Sequence, residues 1–191
     1  VRVKPKVWLA QWIVPPIAHL ANGPSGLAAY PGLGLPERYR GHFFLCDYRY
    51  QPSKSQIWSF AVEPAGAGFR MVDDHAFVGQ LLVTDLVFGY DGRIFASRYN
   101  QFAETSSLVV IEGEQARQDP RIAETVKLAQ GGMRGREPAE LVALLAHPDR
   151  RIRQQAQQEL VRRGEPARLA ALARDRTQPL IPRLHALWGL G

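Results

Sequence analysis

The residues best suited to acid–base chemistry surround His75, in the run Val72-Asp73-Asp74-His75. Histidine exchanges protons near neutral pH, and a nearby carboxylate raises its pKa by stabilising the imidazolium. Side chains alternate along a strand, so Asp73 and His75 should share one face and Asp74 the other. His75 is therefore the candidate catalytic residue, and a hydrogen bond at a sheet edge is its alternative role.

A second set of polar residues surrounds the Gly/Pro turn of residues 22–26. His19, Asn22 and Ser25 all carry hydrogen-bonding groups near this turn, and Asp85 adds a carboxylate later in the chain. We predict these four residues as candidate ligand contacts. The alternative is structural: a turn that leads into a strand and, for Asp85, a hydrogen bond to a neighbouring turn.

The sequence lacks the common motifs of several other chemistries. Cys46 is the only cysteine, which excludes an internal disulfide, a Cys-x-x-Cys metal pair and a Cys-x-x-Cys-His haem site. Its apolar surroundings predict a buried, inert thiol. There is no phosphate-binding loop, metal-spaced His/Cys set or nucleophile elbow. We therefore predict no metal ligands and no cofactor bound by this stretch of chain.

The net charge of +6 lies entirely in the second half of the chain. Residues 1–115 hold ten Lys/Arg and ten Asp/Glu, whereas residues 116–191 hold fourteen and eight. A basic excess favours acidic partners, but arginines on helical repeats are usually solvated or locally paired. We predict no nucleic-acid partner. No apolar run approaches the ~20 residues of a membrane span, and the Val1 start indicates a fragment or a trimmed chain.

The first half must position the candidate residues on β-strands. The run Gly41-His42-Phe43-Phe44-Leu45-Cys46-Asp47-Tyr48 has a counterpart 51 positions later that keeps Gly, Phe and Tyr in register. Such a period predicts blades of a β-propeller. Predicted strands cover residues 25–30, 41–48, 56–62 and 69–77 in one blade, then 83–88, 92–99 and 107–112 in the next. The apolar segment 7–17 could supply an outer strand of a preceding blade.

The second half predicts pairs of helices. A helix is expected over 120–130, and another from Pro138 with an apolar stripe that includes Leu141 and Leu145. Asp149 should cap the next helix, which Gly164 ends. The pattern repeats with offsets of 28 to 30 residues, which is typical of an α-helical HEAT-like solenoid. The predicted domains are 1–115, the propeller blades, and 116–191, the start of the solenoid.

Taken together, the sequence resembles the membrane-bound dehydrogenases also called PVC-type haem-binding proteins, which are related to soluble sugar dehydrogenases that use pyrroloquinoline quinone. The resemblance covers nearly the whole chain. It rests on residues 15–20, 22–27, 30–32, 35–39, 41–47, 73–77, 84–86, 147–149 and 184–191.

This resemblance implies a large exported protein, periplasmic or membrane-associated, with a six-bladed propeller, HEAT repeats and often a cytochrome c domain. The parent would use pyrroloquinoline quinone with Ca²⁺ and haem c to oxidise a sugar or alcohol, and this stretch alone would be inactive. The related dehydrogenases direct an Arg-x-Arg-Asp stretch at the quinone, where this chain has Leu82-Val83-Thr84-Asp85. That departure favours the alternative, a non-catalytic scaffold that binds a carbohydrate in the propeller and a protein on the helices.

Overall fold

The computed structural model of the chain describes residues 16–100 and 105–191. These residues belong to two compact units. The first contains residues up to Ala29, Gly41–Val87 and Ala96–Val109, and the second contains Tyr30–Arg40, Phe88–Phe95 and Val110–Gly191. Most of the segment 7–17, predicted as an outer strand, lies outside the described residues.

A four-stranded antiparallel sheet follows the predicted strands closely. It consists of β1 (Pro24–Ala29), β2 (Phe43–Asp47), β3 (Gln56–Ala65) and β4 (Gly68–Gly79), paired in chain order. Alternate residues of β2 and β3, among them Phe44, Cys46 and Ile57, are buried, as expected for strands with one face on a core. The prediction of one antiparallel sheet from these segments is confirmed.

The hairpin between β3 and β4 differs from its prediction. The sequence predicts a turn over residues 63–66, but Glu63 and Pro64 continue β3 and pair with Arg70 and Phe69. The chain reverses only at Gly66, whose φ of 60° suits a tight turn. Proline is tolerated near the end of a strand, where the loss of one N–H donor costs little.

A β-bulge interrupts β4 beside the candidate His75. Ser59 pairs with His75, but Ala61 pairs with Val72, so the ladder shifts between them. Asp73 lies in the shifted stretch with φ of 50°, a left-handed conformation that is uncommon for a residue other than glycine. Bulges of this kind redirect side chains, so Asp73 and His75 do not follow simple strand alternation.

The second sheet contains three described strands in chain order. They are β5 (Val83–Phe88), β6 (Ile94–Asn100) and β7 (Thr105–Ile111). The turn between β5 and β6 places Gly92 at φ of 77°, and the N–H of Gly89 donates to the carbonyl of Arg93 at 2.8 Å. The sequence Tyr90-Asp91-Gly92 predicts a tight hairpin here, because Asp-Gly suits a turn that needs positive φ, and the structure confirms it.

Five α-helices follow the strands. They are α1 (Pro120–Gly131), α2 (Pro138–Leu144), α3 (Arg150–Arg162), α4 (Pro166–Arg174) and α5 (Leu180–Trp188). Asp149 accepts a hydrogen bond from the N–H of Arg151 at 2.8 Å, which confirms the predicted cap of α3. Gly164, with φ of 71°, follows the end of α3 as predicted. No helix in the described ranges is both long and apolar enough to cross a bilayer.

The helices share one apolar core. Buried residues on their facing sides are Leu128, Leu141, Leu145, Ile152, Ala156, Leu160, Leu169 and Ala186. Val161, which the sequence groups with this stripe, is instead 49% exposed. It immediately follows Leu160, and adjacent helical positions are separated by about 100°, so only one of the two can face the core.

Candidate functional site

His75 lies half-buried beside the bulge, within a cluster of polar residues. Its Nδ1 is 3.0 Å from the carbonyl oxygen of Asp73 and 3.6 Å from Oδ1 of the same residue. The carboxylate of Asp73 also approaches Nε2 of His42 at 3.4 Å. His42 Nδ1 in turn lies 2.8 Å from Oγ of Ser59. The structure thus places His75 with Asp73 and His42.

A serine, a histidine and an aspartate in contact are the components of a nucleophilic site, but here the serine and the histidine are buried. Ser59 is 0% exposed and His42 is 3% exposed. A nucleophile must reach its substrate, and this hydroxyl faces only the protein interior. The three residues act instead as a hydrogen-bonded support for the bulge. Asp73 and His75 retain solvent contact, and the catalytic role of His75 stays a prediction.

The predicted ligand contacts near residue 22 lie close to a buried carboxylate, Asp47, that sequence analysis did not single out. Asp47 is fully buried and accepts hydrogen bonds from the N–H of Gly23 at 2.8 Å and from Nε of Arg49 at 2.8 Å. Trp58 Nε1 adds a longer bond at 3.3 Å. Asn22 can direct its amide oxygen at the guanidinium of Arg49, at 3.1 and 3.2 Å.

The ionisation of Asp47 follows from these contacts. Burial alone would raise the pKa of this carboxyl, but the hydrogen bonds from Arg49, Gly23 and Trp58 lower the pKa below its ordinary value. Asp47 therefore remains charged and fixes the turn that carries Asn22. This network is a fixed structural element.

Ser25 and His19 have different surroundings from Asn22. The hydroxyl of Ser25, on β1, donates to the carbonyl oxygen of Cys46 at 3.2 Å. His19 is exposed in a segment without regular secondary structure that precedes β1. The structure brings Asn22 and Ser25 to the same end of the first sheet, and both stay predicted ligand contacts.

Asp85 lies on β5, where its Oδ1 accepts the N–H of Leu86 at 2.8 Å. A side chain added at Gly26 would collide with Asp85, so the two backbones approach closely. In the quinone-binding pattern the two arginines stand at the positions of Leu82 and Thr84; here Leu82 is 3% exposed, and the Thr84 hydroxyl lies 2.8 Å from Oγ of Ser97. Neither an aliphatic side chain nor a hydroxyl provides the guanidinium fork that pairs with the carboxylates of a quinone, so these residues do not fit that cofactor.

Cys46 is buried, as predicted. Burial, reinforced by the negative charge of Asp85, raises the pKa of its thiol to about 12. The thiolate that nucleophilic or metal-binding chemistry needs is therefore scarce at neutral pH. Within residues 16–100 and 105–191, no group of three His, Cys, Asp or Glu side chains is placed to hold a metal ion.

The turn before α3 is held by arginines of the second unit. Arg151 pairs with Asp149 at 2.6 Å, donates to the carbonyl oxygens of Phe88 and Gly89, and lies 4.1 Å above the ring of Tyr90. Arg153 donates to the carbonyl oxygens of residues 147 and 148 at 2.7 and 2.8 Å. These bonds fix the N-terminus of α3 and so orient its exposed face.

An open groove of about 570 Å³ lies between α3 and α5. The wall from α3 is polar and that from α5 is largely apolar, with Trp188 60% exposed. The groove contains no acidic side chain, so its charged residues are arginines alone. The lining residues are Arg150, Arg153, Gln154, Gln157, Gln158, Ile181, Leu184, His185 and Trp188.

His185 links the two walls at the base of the groove. Its Nε2 accepts a hydrogen bond from Nε of Arg153 at 3.1 Å, and its Nδ1 lies 2.8 Å from Oε1 of Gln157. This pattern requires the neutral tautomer with hydrogen on Nδ1. Burial, together with the charge of Arg153, lowers the pKa of His185 and favours that neutral form.

Sequence reasoning placed its candidate ligand contacts in the β half and missed this groove. The available signal was the spacing of Arg150, Gln154 and Gln158, which recur every four residues on one side of α3. Comparison with family models, with curated proteins and with solved structures finds no match for the chain.

Proposed function

We propose that this chain acts as a protein-binding scaffold, and that the groove between α3 and α5 is its binding surface. The observation that carries the proposal is a groove with exposed polar and aromatic groups on two helices held by a common core. Its volume lies within the range of about 300 to 1,000 Å³ that is typical of ligand sites. An exposed tryptophan beside arginines is also typical of binding hot spots.

The wider architecture in this proposal is a propeller followed by a solenoid. Sheets β1–β4 and β5–β7 would be consecutive blades, supported by the 51-residue repeat and by strand pairing in chain order. The helix pairs α2–α3 and α4–α5 would be successive repeats, with α3 and α5 in equivalent places. Solenoids commonly bind partners on such a surface of equivalent helices.

The dehydrogenase reading remains a proposal for a longer parent protein. It rests on the sequence resemblance, which includes export and an appended haem domain. Leu82 and Thr84, which stand at the two arginine positions, give no support to quinone binding by these residues. The groove, in contrast, belongs wholly to the described chain, and for this reason we favour the scaffold function.

The proposal is tested by selecting from a random peptide display library on the immobilised 191-residue chain. A photoreactive residue at Gln154 should then form adducts with the selected peptides. Gln130, an exposed glutamine of α1 outside the groove, is the matched control position. A photoreactive residue there should not form adducts with the selected peptides. Failure to enrich any peptide, or equal adduct formation at both positions, would reject the scaffold function.

A further inference from the structure

The groove between α3 and α5 has two chemically different walls. On α3, Arg150, Gln154 and Gln158 present a cation and two amides at intervals of one helical turn. On α5, Ile181, which is 47% exposed, and Trp188 present apolar surface. An occupant that satisfies both walls must offer anionic or hydrogen-bonding groups on one side and an apolar side chain on the other.

The cationic groups in the groove lack a compensating charge. Arg150 is exposed, and no hydrogen bond or ion pair of its side chain occurs within the described part of the chain. The guanidinium of Arg153 donates its hydrogen bonds to backbone carbonyls and to His185, none of which carries a negative charge. Burial, with repulsion from Arg150 and Arg40, lowers the pKa of Arg153 even though Asp149 opposes this shift. A bound anion would relieve this repulsion.

The glutamines favour an extended peptide over a small anion. An amide offers both a donor and an acceptor, which match the N–H and C=O groups of a peptide backbone. Gln154 and Gln158 are exposed and lie about 6 Å apart along the axis of α3. This separation is close to two residues of an extended chain, so two amides can bind alternate residues of one peptide.

A nucleic acid fits the groove less well. Nucleic-acid interfaces are strongly cationic and contact many phosphates. Here the groove has two arginines, and one wall is formed by Ile181, Leu184 and Trp188.

We infer that the groove between α3 and α5 binds an extended acidic peptide segment of another protein, with an aromatic or aliphatic side chain packed against Trp188. This inference rests on the proposed scaffold function and specifies the partner class. Arg150 would pair with a carboxylate of the peptide, and Gln154 and Gln158 would bind its backbone. Arg153 would add long-range attraction without breaking its own hydrogen bonds.

The test compares synthetic fluorescent peptides on the full 191-residue chain by anisotropy. The first peptide carries Asp or Glu at alternate positions and contains a single Trp. The second has Asn or Gln in place of the acidic residues, and the third has Lys in their place. We expect the acidic peptide to bind about tenfold more tightly than its amide counterpart and to weaken as salt rises. The lysine peptide should bind most weakly.

Variants locate the binding site. Arg150→Gln should weaken the acidic peptide about fivefold and leave the amide peptide unchanged. Arg174→Gln, an exposed arginine on α4 outside the groove, is the matched control and should have no effect. Trp188→Ala should weaken all three peptides, because each contains the tryptophan that packs against this side chain. Arg150 makes no side-chain bond in the described structure, so its substitution should leave the fold intact.

The outcomes separate the two proposals. Equal binding of the acidic and amide peptides would overturn the acidic-partner inference and leave the scaffold function standing. Binding of no peptide would overturn both. Tighter binding of a single-stranded oligonucleotide, included as a competitor, would show that the partner class is wrong.

Discussion

At the scale of single residues, Asp47 stabilises the turn that leads into β1. It is fully buried, yet Arg49, Gly23 and Trp58 keep it charged through hydrogen bonds. Removal of a buried, hydrogen-bonded charge leaves its partners unsatisfied. We expect Asp47→Asn to lower the free energy of unfolding by about 2 to 3 kcal/mol at pH 7, as measured by urea titration.

The pH dependence of this variant has a defined sign. The folded pKa of Asp47 is lowered, so its stabilisation is full above the ordinary carboxyl pKa and is lost as pH falls through the folded value. The difference between wild type and Asp47→Asn should therefore shrink below about pH 4. Asp74→Asn, at an exposed carboxylate of the same sheet, should track the wild type. An unchanged unfolding midpoint for Asp47→Asn at pH 7 would contradict this account.

At the scale of elements, the turn before α3 depends on Arg151. This side chain joins Asp149, two carbonyl groups and the face of Tyr90. A lysine has a point charge and cannot provide the planar fork or stack on the ring in the same way. We expect Arg151→Ala to cost about 2 to 4 kcal/mol, and Arg151→Lys to recover less than half of that loss. Thermal unfolding of both variants, with Arg174→Ala as the control, measures these losses of stability. If Arg151→Lys were as stable as the wild type, the planar guanidinium would not be required.

Gly32 imposes a second constraint on this turn. Its φ of 122° disfavours any other residue, and a Cβ there would collide with the carbonyl oxygen of Pro148. Gly164 also has a positive φ but has open space around it. We expect Gly32→Ala to destabilise the chain by about 1 to 3 kcal/mol more than Gly164→Ala does. Similar losses for the two variants would show that the close contact with Pro148 has no energetic effect.

Local patterns predicted the elements better than the contacts between them. The strands β1 to β4 and the cap at Asp149 follow from alternation and from side-chain chemistry that act over a few residues. Three features depend on groups distant in sequence and were missed: the bulge at Asp73, the burial of Asp47 and the groove. Asp47 shows why, because its partners include residues 23 and 58, and no local period indicates that a strand carboxylate will be buried.

At the scale of the whole molecule, the second unit should lose stability in mild acid. Burial lowers the pKa of both His147 and His185 in the second unit. Their neutral forms stabilise the fold fully above the ordinary histidine pKa, near 6.5, and this contribution is lost as pH falls through their folded values. Asp47 in the first unit has the same sign but acts only below about pH 4.

We therefore expect hydrogen exchange, corrected for its intrinsic pH dependence, to increase in α2 to α5 between pH 7 and pH 5. The double variant His147→Asn/His185→Asn should remove this pH dependence, although its stability at pH 7 will be lower. Unchanged protection of α2 to α5 over this range, or the same increase in exchange in the double variant, would contradict the assignment to these histidines.

The chemistry of Cys46 gives the chain a practical property. With one cysteine in the sequence, and that thiol buried with a pKa of about 12, maleimide or spin-label reagents find almost no native reaction site at neutral pH. A cysteine introduced at any exposed position therefore becomes the sole site of attachment. Probes can be placed one at a time along the molecule without first deleting a natural thiol, and distances between its parts can be measured on an otherwise unaltered chain.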